Sequence, residues 1–107
     1  MLLSPVKVAV LPLVAKDGLP EKAKEIFNRL KFVCRCFYEE KDTIGRRYRR
    51  QDAIGTPYAL TIDHQTLQDN TVTIRYRDTM KQDRISIDEV ENIVKEKLDW
   101  KNLLQAV

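Results

Sequence analysis

Two short apolar runs constrain the fold of this 107-residue chain more than any other feature. The first covers residues 6–14 and the second covers Tyr58–Ile62, and both are almost continuously apolar. They are short for buried helices, and continuous apolarity is typical of strands that are covered on both faces. The sequence therefore predicts two interior strands. Pro12 should lie at or beyond the paired end of the first strand, because proline cannot donate to a ladder.

The segment between the two runs predicts a helix and a further strand. Pro20 suits the first position of a helix that follows a turn at residues 15–19. The apolar stripe of this helix is formed by Ala23, Ile26, Phe27 and Leu30. Residues 32–40 then have the composition of a strand. A strand–helix–strand order predicts that this strand pairs parallel to the first.

A basic segment directly precedes the second apolar run. Positions 41–54 hold five Lys or Arg against two Asp, so the overall net charge of +3 is concentrated there. Helical spacing puts Ile44 and Tyr48 on one face, and Gly55 is placed to end the helix. The side chains expected to fan outward are those of Arg46, Arg49 and Arg50.

The second half of the chain predicts a hairpin and a final helix. Residues 64–70 are predicted to form a polar connection that ends in a turn at Asp69 and Asn70. Residues 71–78 alternate, with Arg75 and Arg77 on the face opposite the apolar side chains, and residues 82–85 can return as a short strand. Ser86 and Glu89 form a capping box. The apolar side of the helix that follows consists of Val90, Ile93, Val94 and Leu98, and its tail carries Trp100, Leu103 and Leu104.

These elements predict one α/β domain over residues 1–107. Parallel crossover units followed by a hairpin and a helix imply a three-layer fold, with a mixed sheet of about five strands and helices on both faces. A composition of 43% hydrophobic and 33% charged residues is typical of a soluble globular domain. No apolar stretch approaches the roughly 20 residues of a membrane helix, and the N-terminus lacks the pattern of a secretory signal.

Several classes of chemistry are disfavoured by the residues present. The three glycines are too far apart to form a phosphate-binding loop, and no serine lies in a nucleophile elbow. His64 is the only histidine, so Cys34 and Cys36 lack the further ligands of a zinc site. Two cysteines at this spacing on a strand lie near the far limit of disulfide geometry, and we expect both to be reduced thiols.

Two blocks of sequence resemble a known family. The block GRRYRRQDAIGTP, followed by a strand ending in TID, resembles the anticodon-binding domain of glycyl-tRNA synthetase, a class II aminoacyl-tRNA synthetase. The block TVTIRYRDTMKQDRISIDE resembles the later strands and last helix of that domain, and LDWKNL resembles its tail. The resemblance implies the same mixed-sheet fold. It also implies that this chain is the C-terminal part of a larger enzyme.

The resemblance implies a tRNA-Gly anticodon loop as the partner, with cytosines at the second and third anticodon positions. A cytosine edge offers one amino donor and two acceptors, so its recognition requires both a protein acceptor and a protein donor. Candidate acceptors are Asp42, Asp63 and Gln65, and candidate donors are Arg46, Arg75 and Arg77. In related synthetase domains, the places that line the anticodon site correspond to Asp42 with Thr43, Gln65 and Arg75. Candidates for phosphate contact are Arg47, Arg49 and Arg50.

Structural roles for the same side chains remain open from sequence. The arginine cluster could instead tie its helix to the sheet through Asp52 or Asp63, and Arg75 and Arg77 could form the solvated face of an edge strand. Tyr48 and Tyr58 are expected to be core residues.

The resemblance places catalysis elsewhere. We expect no cofactor in this chain, with ATP and Mg²⁺ bound by a separate catalytic domain. The whole enzyme is expected to be cytoplasmic and homodimeric through regions mostly outside this chain, with no membrane partner. Two alternative functions remain: the corresponding domain of a sibling synthetase for histidine, proline or threonine, or a repurposed accessory or protein-interaction domain.

Overall fold

The structure, a computed structural model, describes the backbone of residues 7–106 and the side chains of residues 7–96. In this part of the chain, strands and helices alternate before a terminal hairpin and helix. The elements are β1 (Lys7–Pro12), α1 (Leu19–Leu30), β2 (Arg35–Tyr38), α2 (Ile44–Ala53), β3 (Tyr58–Ile62), α3 (His64–Asp69), β4 (Thr71–Tyr76), β5 (Gln82–Ser86) and α4 (Ile87–Ala106).

The five strands form one mixed sheet in the order β2-β1-β3-β4-β5. The two apolar strands lie side by side, and β1 pairs parallel to both β2 and β3. The hairpin strands are antiparallel, with β4 paired to β3 on one side and to β5 on the other. The predicted mixed sheet of about five strands is confirmed. Pro12 is the last residue of β1, as expected of a residue without an N–H.

Helices cover both faces of the sheet. The larger core lies on the face that carries α1 and α4, where Val8, Leu60 and Ile74 pack with Ile26 and Val90. The smaller core lies on the opposite face, where Ala9, Leu11 and Ala59 lie under Ile44 and Tyr48 of α2. The small side chains of two alanines allow α2 to pack close to the sheet. The three-layer prediction is therefore confirmed.

Two local predictions need correction. Residues 64–70 were expected to be a polar connection, but His64–Asp69 is a short helix. Asp63 and Thr66 form a reciprocal capping box that satisfies the backbone N–H groups at its start. The predicted turn chemistry appears at the end of that helix, where Asn70 adopts the left-handed conformation with φ 57°. Strand β2 is also shorter than predicted, because residues 31–34 form a turn after α1.

The start of α4 follows the prediction in part. The Ser86 hydroxyl accepts from the backbone N–H of Glu89 at 3.2 Å, which is one half of the predicted capping box. Val90 and Val94 are buried as expected. The predicted contacts of Leu98, Trp100, Leu103 and Leu104 lie outside the described side chains. In the described part of the chain, no helix combines the length and apolarity needed to cross a bilayer.

Candidate nucleic-acid interface

The face of the sheet that carries α2 is covered over β1 and β3 and open over the hairpin strands. Directly opposed residues of antiparallel strands point to the same side, and the register pairs Thr73 with Arg84 and Arg75 with Gln82. Ile74 is buried on the other side, so these four side chains share the α2 side of the sheet. We call Thr73, Arg75, Gln82 and Arg84 the open face.

Arg75 is held rigidly on the open face. Its Nη1 donates to Asp52 at 3.0 Å, and its guanidinium lies 4.9 Å from the ring centroid of Tyr48. Tyr48 is itself fixed, because its hydroxyl hydrogen-bonds to that of Thr61. The second guanidinium nitrogen, Nη2, contacts only the weak acceptor Sδ of Met80, at 3.4 Å. Arg75 thus presents an oriented donor beside an exposed, displaceable side chain.

Arg84 lies at the other end of the open face and binds Asp63. Its two terminal nitrogens donate to the two carboxylate oxygens of Asp63 at 2.7 and 2.9 Å, a bidentate pair. This pairing holds the pKa of Asp63 down at about 2. Asp63 also accepts from the Thr66 N–H at the start of α3. The carboxylate predicted to accept from a base is therefore already engaged by protein donors.

The loop between β2 and α2 holds the predicted pair Asp42 and Thr43. Thr43 is the N-cap of α2 and accepts from the backbone N–H of Arg46. Asp42 adopts a left-handed φ of 78° and accepts from the Thr43 N–H and from Arg46 and Arg50. The backbone N–H of Thr43 and the Arg50 guanidinium lower the pKa of Asp42. A cleft of about 780 Å³ opens beside these residues and is lined by residues 13–15 and 40–44 and by Arg47.

Arg47 does not fan out toward solvent. Its side chain is 1% exposed and donates to the backbone carbonyls of Pro12, Leu13 and Glu39 at 2.6 to 3.1 Å. Burial lowers the pKa of this guanidinium. Among the described residues its Nε has no hydrogen-bond partner. The expectation that Arg47 contacts phosphate is corrected: it ties α2 to the ends of β1 and β2, through carbonyls rather than through a carboxylate.

The other three arginines of α2 are exposed as predicted. Arg46 pairs with Asp42 at 3.4 Å, and Arg50 bridges Glu39 at 2.8 Å and Asp42 at 3.2 Å. Arg49 folds back along its own helix, donating to the Gly45 carbonyl at 3.4 Å. Exposed guanidinium groups with such surface partners can exchange them for phosphate oxygens at little cost.

Gln65 and Arg77 lie beyond opposite ends of the strands, because they follow β3 and β4, which are antiparallel. Gln65 lies in the first turn of α3, donates its amide to Asp69 at 3.0 Å, and keeps an amide oxygen that can accept a hydrogen bond. Arg77 follows the far end of β4 and donates to the Asp52 carbonyl at 3.0 Å. Asp42, Thr43, Asp63 and Gln65 gather where the parallel strands end, while Arg77 lies at the other end of the sheet. Arg75 lies toward the Arg77 end, because it is the penultimate residue of β4 and both arginines donate to Asp52.

Sequence reasoning missed Arg84 as a member of the open face, and it considered Asp52 only as a partner for the arginines of α2 and not for Arg75. The two-residue alternation of a strand was available for Arg84, because it puts Gln82, Arg84 and Ser86 on one face of β5 and Asp83 and Ile85 on the other. Pairing that strand with β4 through the short turn would have placed Arg84 beside Thr73. The contact of Arg84 with Asp63 depends on how β5 lies against the end of β3, which pattern alone does not give.

The chain is similar in sequence to known proteins. The family described as "Anticodon binding domain" matches residues 7–97. Glycine–tRNA ligase of Rhodopirellula baltica is 52% identical over 96 residues, covering 90% of this chain and 18% of the ligase. Glycine–tRNA ligase of Thermococcus gammatolerans is 56% identical over 97 residues, covering 88% of this chain and 17% of the ligase. Glycine–tRNA ligase of Borrelia hermsii is 49% identical over 102 residues, covering 94% of this chain and 23% of the ligase.

The chain spans about a fifth of the length of these relatives. A solved structure with the same fold is the RNA-binding domain of threonyl-tRNA synthetase from Cryptosporidium parvum Iowa II, with a TM-score of 0.77 and 23% identity. That alignment covers 86% of this chain and 23% of the solved chain. At this identity the likeness concerns the fold.

Proposed function

The chain belongs to the anticodon-binding domain family, and from that premise we propose that it recognises the anticodon of a glycine tRNA as part of a glycine–tRNA ligase. The observation that carries the proposal is identity of about half over nearly the whole chain to glycine–tRNA ligases from distant organisms. The ligase reaction, with its ATP and Mg²⁺, belongs in this proposal to a catalytic domain outside the chain. A homodimeric, cytoplasmic enzyme is part of the same proposal.

Arg75 is assigned to base recognition because of what holds it. Asp52 and Tyr48 fix the guanidinium plane, so little side-chain entropy is lost when a ligand binds. The free Nη2 can donate to the N3 or O2 acceptor of a cytosine once Met80 moves aside. A protein needs such oriented polar groups to discriminate between bases, whereas a loosely held cation attracts any nucleic acid.

The acceptors for a cytosine amino group lie near the ends of the parallel strands. The Gln65 amide oxygen is one, and the Asp42 carboxylate is a second if its arginine partners turn to phosphate. Asp63 is a weaker candidate because Arg84 and the start of α3 occupy both of its oxygens. We assign Asp63 and Arg84 to shaping the surface rather than to contacting a base.

Phosphate contacts are assigned to Arg46, Arg49 and Arg50. They project from the exposed surface of α2, where Arg46 and Arg50 face the loop between β2 and α2, and the side chains of these two are more than two-fifths exposed. Half or more of the hydrogen bonds in nucleic-acid complexes go to the backbone, where exposed arginines serve as sequence-independent donors. The surface therefore combines a fixed donor for bases with adaptable cations for the backbone.

Binding of an isolated anticodon stem-loop tests the proposal. The chain should bind a glycine stem-loop at micromolar or weaker affinity, with binding that falls steeply as salt rises. The matched control is a stem-loop in which both anticodon cytosines are replaced, which keeps every phosphate. Replacing two recognised bases should weaken binding roughly 10-fold or more. Equal affinity for the two stem-loops would refute base recognition. Preference for a histidine, proline or threonine anticodon would identify a sibling enzyme.

A repurposed, non-RNA-binding domain is the second candidate. Such a domain would have no reason to keep an oriented arginine and three exposed ones on the same side of the sheet, and all four are present here on the side that carries α2. Failure of the chain to bind any of the stem-loops at low salt would favour this candidate.

A further inference from the structure

The two cysteines of the chain lie in contact at the edge of the sheet. Cys34 occupies a bend just before β2, and Cys36 is the second residue of that strand. Their Sγ atoms are 3.6 Å apart. Two residues at this spacing on a regular strand hold their side chains further apart, so the bend at Cys34 is what brings the sulfurs together. A rotation that closes about 1.5 Å would reach the length of a disulfide bond.

The two thiols differ in environment. Cys34 is 4% exposed and its sulfur also contacts the Leu30 carbonyl at 3.7 Å. Cys36 is half-buried, so a small reagent can approach it. The hydrogen bond between the thiols lowers the pKa of Cys36 and raises that of Cys34, and burial raises the pKa of Cys34 further. A more accessible thiol of lowered pKa beside a buried thiol is the arrangement in which one sulfur reacts and the other resolves.

We propose that Cys34 and Cys36 form a redox-sensitive dithiol that a peroxide converts into an intramolecular disulfide. The Cys36 thiolate attacks one oxygen of hydrogen peroxide, the O–O bond breaks, and the leaving hydroxide takes a proton to become water. This leaves Cys36 as a sulfenic acid. The Cys34 sulfur then attacks the Cys36 sulfur, the S–O bond breaks, and the hydroxide leaves with the Cys34 proton as a second water. In total, two thiols and one peroxide give one disulfide and two waters.

The position of the pair permits this closure. Strand β2 is an edge of the sheet and is only four residues long, so its movement disturbs one ladder, that with β1. Residues 31–34 form a turn that can absorb a change in backbone angles. Both sulfurs face the side of α1, because Cys36 packs against the same core as Cys34.

The mass of the intact chain after peroxide treatment tests the proposal. The chain is exposed to hydrogen peroxide, then unfolded and treated with a thiol alkylating reagent. We expect loss of two hydrogen masses, no alkylation, and full recovery of both alkylation sites after reduction with dithiothreitol. Addition of oxygen without loss of hydrogen, persistence of two alkylatable thiols, or a disulfide-linked dimer would each overturn the proposal.

Two substitutions at Cys34 separate the roles of its sulfur and its proton. Cys34→Ser keeps a hydrogen-bond donor beside Cys36 but removes the resolving sulfur, so peroxide should leave a Cys36 sulfenic acid that dimedone traps. Cys34→Ala removes the donor as well, and the rate of Cys36 alkylation at neutral pH should fall several-fold relative to Cys34→Ser. Equal alkylation rates in the two variants, both folded by circular dichroism, would show that Cys34 does not activate Cys36. The mass measurement on the wild-type chain tests formation of the disulfide even if neither variant folds.

Discussion

At the scale of single residues, the surface works by fixing one arginine and leaving others adaptable. Arg75 is anchored by Asp52 and by the ring of Tyr48, whereas Arg46, Arg49 and Arg50 make only exposed contacts. A fixed guanidinium can favour one base over another because the wrong base leaves its N–H groups without partners. Adaptable guanidinium groups cannot discriminate in this way.

Replacing Arg75 with alanine should weaken stem-loop binding by about 1–3 kcal/mol, or roughly 5- to 150-fold in Kd. The loss should be smaller for the stem-loop with replaced cytosines, because that ligand lacks the edge that Arg75 contacts. Fluorescence anisotropy titrations measure both. Arg35→Ala is the matched control, since Arg35 is an exposed arginine on the distant edge strand β2. An equal loss for both stem-loops would assign Arg75 to phosphate or scaffold.

The pair of Arg84 and Asp63 makes stability depend on pH. The pKa of Asp63 is about 2 in the folded chain against an ordinary value of 3.8, so the folded state binds this proton less readily than the unfolded state. The stabilisation is therefore fully present above about pH 4 and is lost as the pH falls toward 2. Because solvent screens a partly exposed pair, we expect a contribution of about 1 kcal/mol.

Arg84→Met should lower the free energy of unfolding by about 1 kcal/mol at pH 7. The difference in free energy of unfolding between the variant and the wild type should become smaller between pH 4 and pH 2, because Asp63 becomes protonated in both proteins. Urea unfolding of both proteins between pH 4 and pH 2 measures this difference. Lys81→Met carries the same charge change at an exposed site and should show no such narrowing. A difference that stays constant down to pH 2 would show that the ion pair is not its source.

At the scale of elements, helix α2 carries two functions on two sides. Its buried side holds Arg47, whose guanidinium joins the ends of β1 and β2 through three carbonyls. Its exposed side carries the other three arginines. The helix is about 15 Å long, and two of these arginines, Arg46 and Arg50, project toward the loop between β2 and α2.

Arg47→Met should therefore affect mainly the stability of the fold, and Arg49→Met mainly the salt dependence of RNA binding. Arg47→Met leaves buried carbonyls without donors and should destabilise the fold by about 2 kcal/mol, with the slope of log affinity against log salt unchanged. Arg49→Met should change stability by less than about 0.5 kcal/mol and reduce that slope by about 1. Urea unfolding and salt titrations distinguish them. A stable Arg47→Met protein with a reduced slope would return Arg47 to the phosphate-binding set.

The elements were largely predictable from sequence because they depend on local patterns. The apolar runs, the alternation of β4 and the basic helix Ile44–Ala53 each correspond to an observed element. Helix α3 was missed because its stability comes from the capping box of Asp63 and Thr66 rather than from an apolar stripe. Strand β2 was predicted too long because composition does not reveal that the chain turns after α1.

The site was less predictable, since residue type does not show what a side chain touches. Arg47 belongs to the same basic segment as Arg46 and Arg49, yet it is buried because it faces the sheet. From sequence, Asp63 is predicted to be a hydrogen-bond acceptor for a base, but in the structure it accepts from Arg84. The contacts of Arg47 with Pro12 and Leu13, and that of Asp63 with Arg84, join residues more than 20 positions apart, where spacing along the chain carries no information.

At the scale of the whole molecule, the sheet separates two surfaces with different tasks. One face is closed by α1 and α4 over the larger core, and Arg29 of α1 pairs with Asp88 and Glu91 across that helix pair. The other face is closed over β1 and β3 by α2 and open over β4 and β5. A ligand of this domain should therefore approach from the α2 side.

Amide chemical-shift mapping with a glycine anticodon stem-loop tests this account most directly. The account predicts that the largest shifts fall on β4, β5, α2 and the loop at residues 39–43, and that the cytosine-replaced stem-loop reduces the shifts around Arg75 most. Shifts concentrated on α1 and α4, with residues 71–86 unchanged, would contradict it.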